Sequence, residues 1–160
     1  MATRAVYPGS FDPVTFGHLD IVQRGSALFD HLVVAVGVNA SKSAMFTAEE
    51  RIAMIAAELG GLRNVEVAMF HGLVVDFAKS RGLNIILRGL RTISDFETEF
   101  QMALTNRSFA PGIETVFVMP GEKFQFISSR LIKEVAQVGG SVASFVPDAV
   151  ARELKRRFSR

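Results

Sequence analysis

Three short clusters in this 160-residue chain combine residue types that bind anions. The first is Pro8-Gly9-Ser10-Phe11-Asp12-Pro13-Val14-Thr15-Phe16-Gly17-His18, which follows an apolar, β-branched run. Its two prolines and two glycines fix a turn, and His18 falls in the first turn of the helix that follows. A helix start offers free N–H groups and the positive end of its dipole to an anion, and an imidazole there adds a directed hydrogen bond to phosphate. The alternative for His18 is a helix cap with a partly buried ring. The second cluster is Arg88-Gly89-Leu90-Arg91, with two guanidiniums three residues apart around a glycine. The third is Phe126-Ile127-Ser128-Ser129-Arg130, whose hydroxyl pair can cap a helix and can also cradle phosphate. Three such features, each expected at a strand end, are more than coincidence explains.

Other chemistries are excluded. No G-x-G-x-x-G opens a helix after a strand. Gly37-Val38-Asn39-Ala40-Ser41-Lys42-Ser43 resembles a Walker A loop but lacks the glycine before the lysine that lets the backbone wrap phosphates. Ser10 does not sit in a G-x-S-x-G elbow. The absence of cysteine removes thiolate zinc sites, disulfide scaffolds and a cysteine nucleophile. No His/Asp/Glu group has metal-ligand spacing on one element, so no protein-held metal is expected.

The elements that must position these clusters alternate along the chain. Apolar strand patterns are expected at 4–7, 32–38, 65–70, 84–87 and 115–119. Helical patterns lie between and after them, at about 17–29, from Thr47, and at 73–81, 95–109, 129–138 and 148–158. Thr47-Ala48-Glu49-Glu50 reads as a capping box. Alternating strands and helices predict βαβ units and a parallel sheet. The expected fold is therefore α/β, a Rossmann-like doubly wound five-stranded parallel sheet with helices on both faces. In such sheets ligands bind beyond the carboxyl ends of the strands, where the strand order reverses.

A length of 160 residues is read as one domain spanning 1–160, and 49% hydrophobic against 21% charged residues excludes a disordered chain. No apolar run approaches the ~18 residues of a membrane span, and no signal peptide pattern opens the chain, so a cytoplasmic location without membrane contact is expected. The net charge of +2 is nearly neutral. The one dense basic run, Lys155-Arg156-Arg157-Phe158-Ser159-Arg160, is read as the solvated end of a helix and not as a nucleic-acid tail.

Taken together, Tyr7-Pro8-Gly9-Ser10-Phe11-Asp12-Pro13, Thr15-x-Gly17-His18, Arg88-Gly89-Leu90-Arg91, Asp95-Phe96-Glu97, Asn106-Arg107 and Ile127-Ser128-Ser129 resemble the bacterial phosphopantetheine adenylyltransferases. These belong to the nucleotidyltransferase superfamily with a T/H-x-G-H motif, and the resemblance covers nearly the whole chain. It implies a reversible reaction in which ATP and 4′-phosphopantetheine give 3′-dephospho-CoA and pyrophosphate, with Mg²⁺ held through the ATP phosphates. It also implies a six-subunit assembly.

The resemblance places Ser10 and Phe11 at the join between the substrates and makes His18 the group that steadies the transition state. It assigns Gly17, Gly89, Leu90, Arg91, Glu99, Phe124, Gln125, Phe126, Ile127, Ser128, Ser129 and Arg130 to the ATP side. Lys42, Val74 and Arg88 fall on the phosphopantetheine side. Lys42, Arg88, Arg91, His18 and Mg²⁺ would together offset the repulsion between two polyanions. Lys42 and Arg88 have no acidic neighbour in sequence, although either could pair with a distant carboxylate such as Glu134.

The chain departs from the family pattern at Ser10, where threonine is common, at Thr98, where tyrosine is common, and at Arg130, where a third serine is common. His31 is read as structural, and His71 is left without a role. The rival readings are a sister enzyme acting on nicotinate mononucleotide or glycerol phosphate, and a non-catalytic nucleotide sensor.

Overall fold

The computed structural model describes residues 1–159. Five strands, β1 (Arg4–Gly9), β2 (His31–Val38), β3 (Val65–His71), β4 (Ile85–Gly89) and β5 (Glu114–Val118), form one parallel sheet in the order β3-β2-β1-β4-β5. The helices are α1 (Phe16–Leu28), α2 (Ala48–Ala56), α3 (Val74–Ser80), α4 (Ile93–Phe109), α5 (Ser129–Gln137) and α6 (Asp148–Phe158). A single 3₁₀ turn at Glu122–Phe124 adds to the elements expected from sequence. The chain winds outward from β1 to β3, then returns to the other side of β1 with β4. This reversal makes the β1/β4 boundary the switch point of a doubly wound sheet.

Alternation along β2 explains the two cores. Leu32, Val34 and Val36 face one way and meet Ile21 and Val22 of α1, Ile55 of α2, Ile132 of α5 and Leu154 of α6. Val33 and Ala35 face the other way and meet Val75 and Ala78 of α3, with Ala110 and Ile113 beyond α4. A strand buried on both faces reads as a continuous apolar run, as His31–Val38 does. Leu32 is fully buried. Leu32→Ala should therefore cost about 2–5 kcal/mol of stability, read by denaturant unfolding of the chain.

The predicted end of β1 at Tyr7 needs correction, because the strand continues through Pro8 and Gly9 beside β2. Proline ordinarily avoids central strands because it has no N–H to give the ladder. Here the β1–β4 ladder stops at Val6 opposite Ile86, two residues before Pro8. The Pro8 carbonyl instead accepts a hydrogen bond from Arg88 Nη1 at 2.7 Å. One residue's N–H and C=O point to the same side of a strand, so the missing N–H falls where the ladder has already been released. The proline thus opens the crevice at the switch point.

Residues 155–158 of the basic C-terminal run close α6, with Arg156 and Arg157 paired, and Arg160 lies outside the described residues. Arg156 is bound by Glu153, and Arg157 by Glu153 and Glu50. His31 opens β2 at the opposite end of the sheet, 3.4 Å from Glu66, in keeping with a structural role. Among the described residues no helix is long and apolar enough to cross a membrane. α4 buries no residue, and it leaves Phe96, Phe100 and Leu104 at four-residue spacing open to solvent.

Candidate active site

Two adjoining hollows open at the carboxyl ends of β1 and β4. The smaller, about 300 Å³, is bounded by the 9–18 turn, the end of β4 and the start of α5. The larger, about 980 Å³, runs from the 37–42 segment past the start of α3 to Met102, Ala103 and Asn106 of α4. Pro8, Gly9, Ser10, Arg88 and Glu99 line both. Ser10 is therefore at the junction of the two hollows.

The turn that carries Ser10 is held by its neighbours. Phe11 takes the left-handed conformation (φ 49°), which is uncommon for a bulky residue. Its ring folds back so closely that a Cβ on Gly9 would lie 2.9 Å from it, so position 9 must be glycine. The ring is almost fully buried, edge-on to both Tyr7 (5.3 Å) and His18 (5.0 Å). Phe11 borders only the smaller hollow, and its side chain acts by packing His18 into place. The buried Tyr7 phenol is pushed well above its ordinary pKa, chiefly by desolvation, and stays protonated.

His18 occupies the third position of α1 and closes a capping box with Thr15. The Thr15 hydroxyl accepts from the His18 N–H, while the Thr15 N–H donates to His18 Nδ1 at 3.0 Å. An Nδ1 that accepts a backbone N–H carries no proton, so the ring is the neutral tautomer with its hydrogen on Nε2. Burial lowers its pKa to about 4, assisted by Arg91 and then Arg88. The cap reading of His18 thus holds, and the same ring borders the smaller hollow. The expectation that His18 contributes positive charge is corrected: it offers a neutral N–H donor.

Arg88 is also different from its expectation. Its Nε and Nη2 bind both oxygens of Glu99, at 2.8 and 2.5 Å. A distant carboxylate does pair with it, but Glu134 is not the one, since Glu134 binds Arg130. Glu99, expected on the ATP side, fixes Arg88 between the two hollows. Arg91 is similarly framed, with Nε 3.2 Å from Asp95 and Nη1 2.5 Å from the Ile127 carbonyl. Ser128 caps α5 through the Leu131 N–H, and the Ser129 hydroxyl donates to the Pro13 carbonyl at 2.8 Å. Both serines therefore have structural partners and border the smaller hollow as well.

Gly17, Gly89, Arg91, Ile127, Ser128 and Ser129 come together there with His18. Leu90, Phe124, Gln125, Phe126 and Arg130 do not line it. The Leu90 N–H extends the ladder to the Val118 carbonyl. Phe124 packs against Gly17, and Gln125 lies exposed at the end of the 3₁₀ turn. Phe126 meets Phe145 edge-on, and Arg130 points to solvent beside Glu134. Lys42, Val74 and His71 border the larger hollow, and Lys42 makes no ion pair among the described residues.

Sequence reasoning missed two buried anchors. Arg51 donates from Nη1 to the Ser10 carbonyl (2.8 Å) and to the Gly37 carbonyl (3.1 Å), tying the turn to β2. Asp12 accepts from the N–H groups of Met45 and Phe46 and from Lys133. A signal for Arg51 existed, because it shares a helix face with Ala48 and Ile55, where an unpaired charge would be costly.

The description "Cytidylyltransferase-like" belongs to the family whose pattern matches residues 6–135. The phosphopantetheine adenylyltransferase of Anaeromyxobacter sp. (strain K) is 54% identical over 160 residues, covering 100% of this chain and 98% of its own. The enzyme of the same name from Caldanaerobacter subterraneus subsp. tengcongensis is 49% identical over 156 residues, covering 98% of each. Among solved structures, a Plasmodium falciparum nicotinic acid mononucleotide adenylyltransferase superposes with a TM-score of 0.70, covering 98% of this chain and 96% of its own, at 14% identity. That likeness speaks to the fold. Identity near one half over the full length speaks to the sequence family, and the chain belongs to the cytidylyltransferase-like family as a phosphopantetheine adenylyltransferase.

Proposed function

We propose that the chain transfers the adenylyl group of ATP to 4′-phosphopantetheine, with the smaller hollow taking the ATP phosphates and the larger one the acceptor. The observation that carries this reading is that Ser10 and Arg88 line both hollows. An acceptor phosphate in one and an α-phosphate in the other would meet there. An acceptor oxygen attacks the α-phosphorus, the bond to the β-phosphate oxygen breaks, and pyrophosphate leaves. The attacking phosphate is already ionised, so no base is required. Catalysis then reduces to alignment and to donors aimed at developing charge.

His18 supplies one such donor through Nε2–H, and Arg91 with the start of α5 receives the leaving phosphates. Lys42 and the free N–H groups of Arg88 meet the acceptor phosphate. Val74, Leu73 and Met102 give an apolar wall suited to the pantetheine arm. Mg²⁺ belongs to this proposal, adding charge neutralisation when bound. The carboxylates at the smaller hollow, Asp95 and Glu99, are already paired with arginines, so the ion would be held through the ATP phosphates. The exposed apolar face of α4 supports self-association, with the homohexamer as the assembly that the family resemblance implies. We place the enzyme in the cytoplasm on the same resemblance.

Pyrophosphate release with ATP should be seen with 4′-phosphopantetheine and not with nicotinate mononucleotide or glycerol phosphate; the reverse pattern would sink the assignment. Lys42→Ala should raise the KM for 4′-phosphopantetheine by roughly 10-fold or more, the weight of one charge-assisted contact, and leave the KM for ATP within about twofold. Steady-state kinetics with both substrates varied decides this. Equal effects on the two constants would remove Lys42 from the acceptor side.

A further inference from the structure

The segment joining β2 to α2 carries Lys42 and ends at residues 45–47, which precede the helix and belong to no strand. Side chains from three parts of the fold hold its backbone. The Asp12 carboxylate accepts the N–H groups of Met45 and Phe46, each at 2.9 Å. Arg51 Nε donates to the Phe46 carbonyl at 3.1 Å, and Glu50 accepts the Thr47 N–H at 2.8 Å. The Met45 carbonyl is taken by Arg157, which reaches across from α6. The same guanidinium lies 4.4 Å from the centre of the buried Phe46 ring and is paired with Glu50 and Glu153.

We infer that Arg157 is a positioning residue for Lys42: by holding Met45 it fixes the downstream end of the loop from which Lys42 meets the acceptor phosphate. The inference rests on the assignment of Lys42 to the acceptor. Asp12 and Arg51 belong to the same anchor from the other side, since Arg51 also binds the Ser10 carbonyl at 2.8 Å. Ser10 and Lys42 are thus referenced to one point, and α6 contributes its third support. Only a planar fork can stack on Phe46 while donating to Met45, Glu50 and Glu153 together. A tether serving stability alone would move the unfolding temperature and leave the balance between the two KM values where it was.

The test uses the full chain with Arg157→Ala, Arg157→Lys and Lys42→Ala measured in parallel. Arg157→Ala should raise the KM for 4′-phosphopantetheine about fivefold or more, the worth of roughly one hydrogen bond, and leave the KM for ATP within about twofold. Amide hydrogen exchange in residues 39–47 should quicken, and Arg157→Lys should fall between Arg157→Ala and the parent on both readouts. Should Arg157→Ala not fold, Arg157→Lys decides by the same two measurements. Unchanged acceptor KM and unchanged exchange overturn the inference, as do ATP and acceptor constants that rise together. If Lys42→Ala raises the acceptor KM and the Arg157 variants do not, the inference alone falls. If Lys42→Ala leaves that KM alone, the acceptor assignment falls and the inference with it.

Discussion

His18→Ala is expected to lower kcat by roughly 10²–10³, the cost of removing one preorganised donor from a developing charge, with substrate KM values little changed. The geometry sets this expectation more sharply than the presence of a histidine does. The ring is locked by Thr15 on Nδ1 and packed by Phe11, so Nε2–H is aimed before substrate arrives. Near-parental turnover in a variant whose circular dichroism matches the parent would end the assignment.

The titration of the same ring provides a second view of it. Its pKa lies at about 4 in the folded enzyme against 6.5 for an ordinary histidine. Below pH 6.5 the unfolded chain takes up a proton that the folded chain refuses, so this group favours unfolding as pH falls toward 4. Between pH 5.5 and 8 kcat/KM should show no inflection assignable to His18. The melting temperature of the parent should also fall more steeply between pH 7 and 5 than that of His18→Ala, which differential scanning calorimetry can follow.

Arg91→Ala should weaken ATP binding about 10- to 100-fold, the range of a charge-assisted hydrogen bond. Two losses combine. The guanidinium leaves the smaller hollow, and the Ile127 carbonyl loses the donor that holds the start of α5 in place. Arg91→Lys should recover only part, because one ammonium cannot face Ile127 and a phosphate with a fork's geometry. Calorimetric titration with ATP measures this, and unchanged affinity in the folded variant would show that the ATP phosphates lie elsewhere.

Much of the fold was legible because its signals are periodic. The doubly apolar run at 32–38 and the capping box at Thr47 report burial and helix start directly. The three clusters at the strand ends were legible because turns there need glycine, proline and capping residues in fixed order. What was not legible is pairing across the sheet. Glu99 lies eleven residues beyond Arg88, and nothing in its neighbours marks it as that arginine's partner. The end of β1 was hidden by Pro8, which a local rule reads as a stop and which the released ladder accommodates. His18 read as a possible cation because its protonation depends on burial among Tyr7, Phe11 and two arginines that sequence does not bring together. The far end of the 124–130 stretch lies apart from the smaller hollow, since Arg130 is on the outward face of α5 beside Glu134.

The pairing of Arg88 with Glu99 and of Arg91 with Asp95 bears on how the enzyme lets go. Bare guanidiniums lining a closed hollow would attract pyrophosphate as strongly as they attract ATP, and a reaction that runs both ways needs each polyanion to depart. Here every arginine at the switch point has a carboxylate to return to when the phosphate leaves. On the proposed assignment each arriving phosphate would share its arginine with that partner, so part of its attraction is offset at entry and handed back at exit. On the same assignment, the acids beside the arginines would act as a built-in competitor, tempering affinity for incoming and departing polyanions alike.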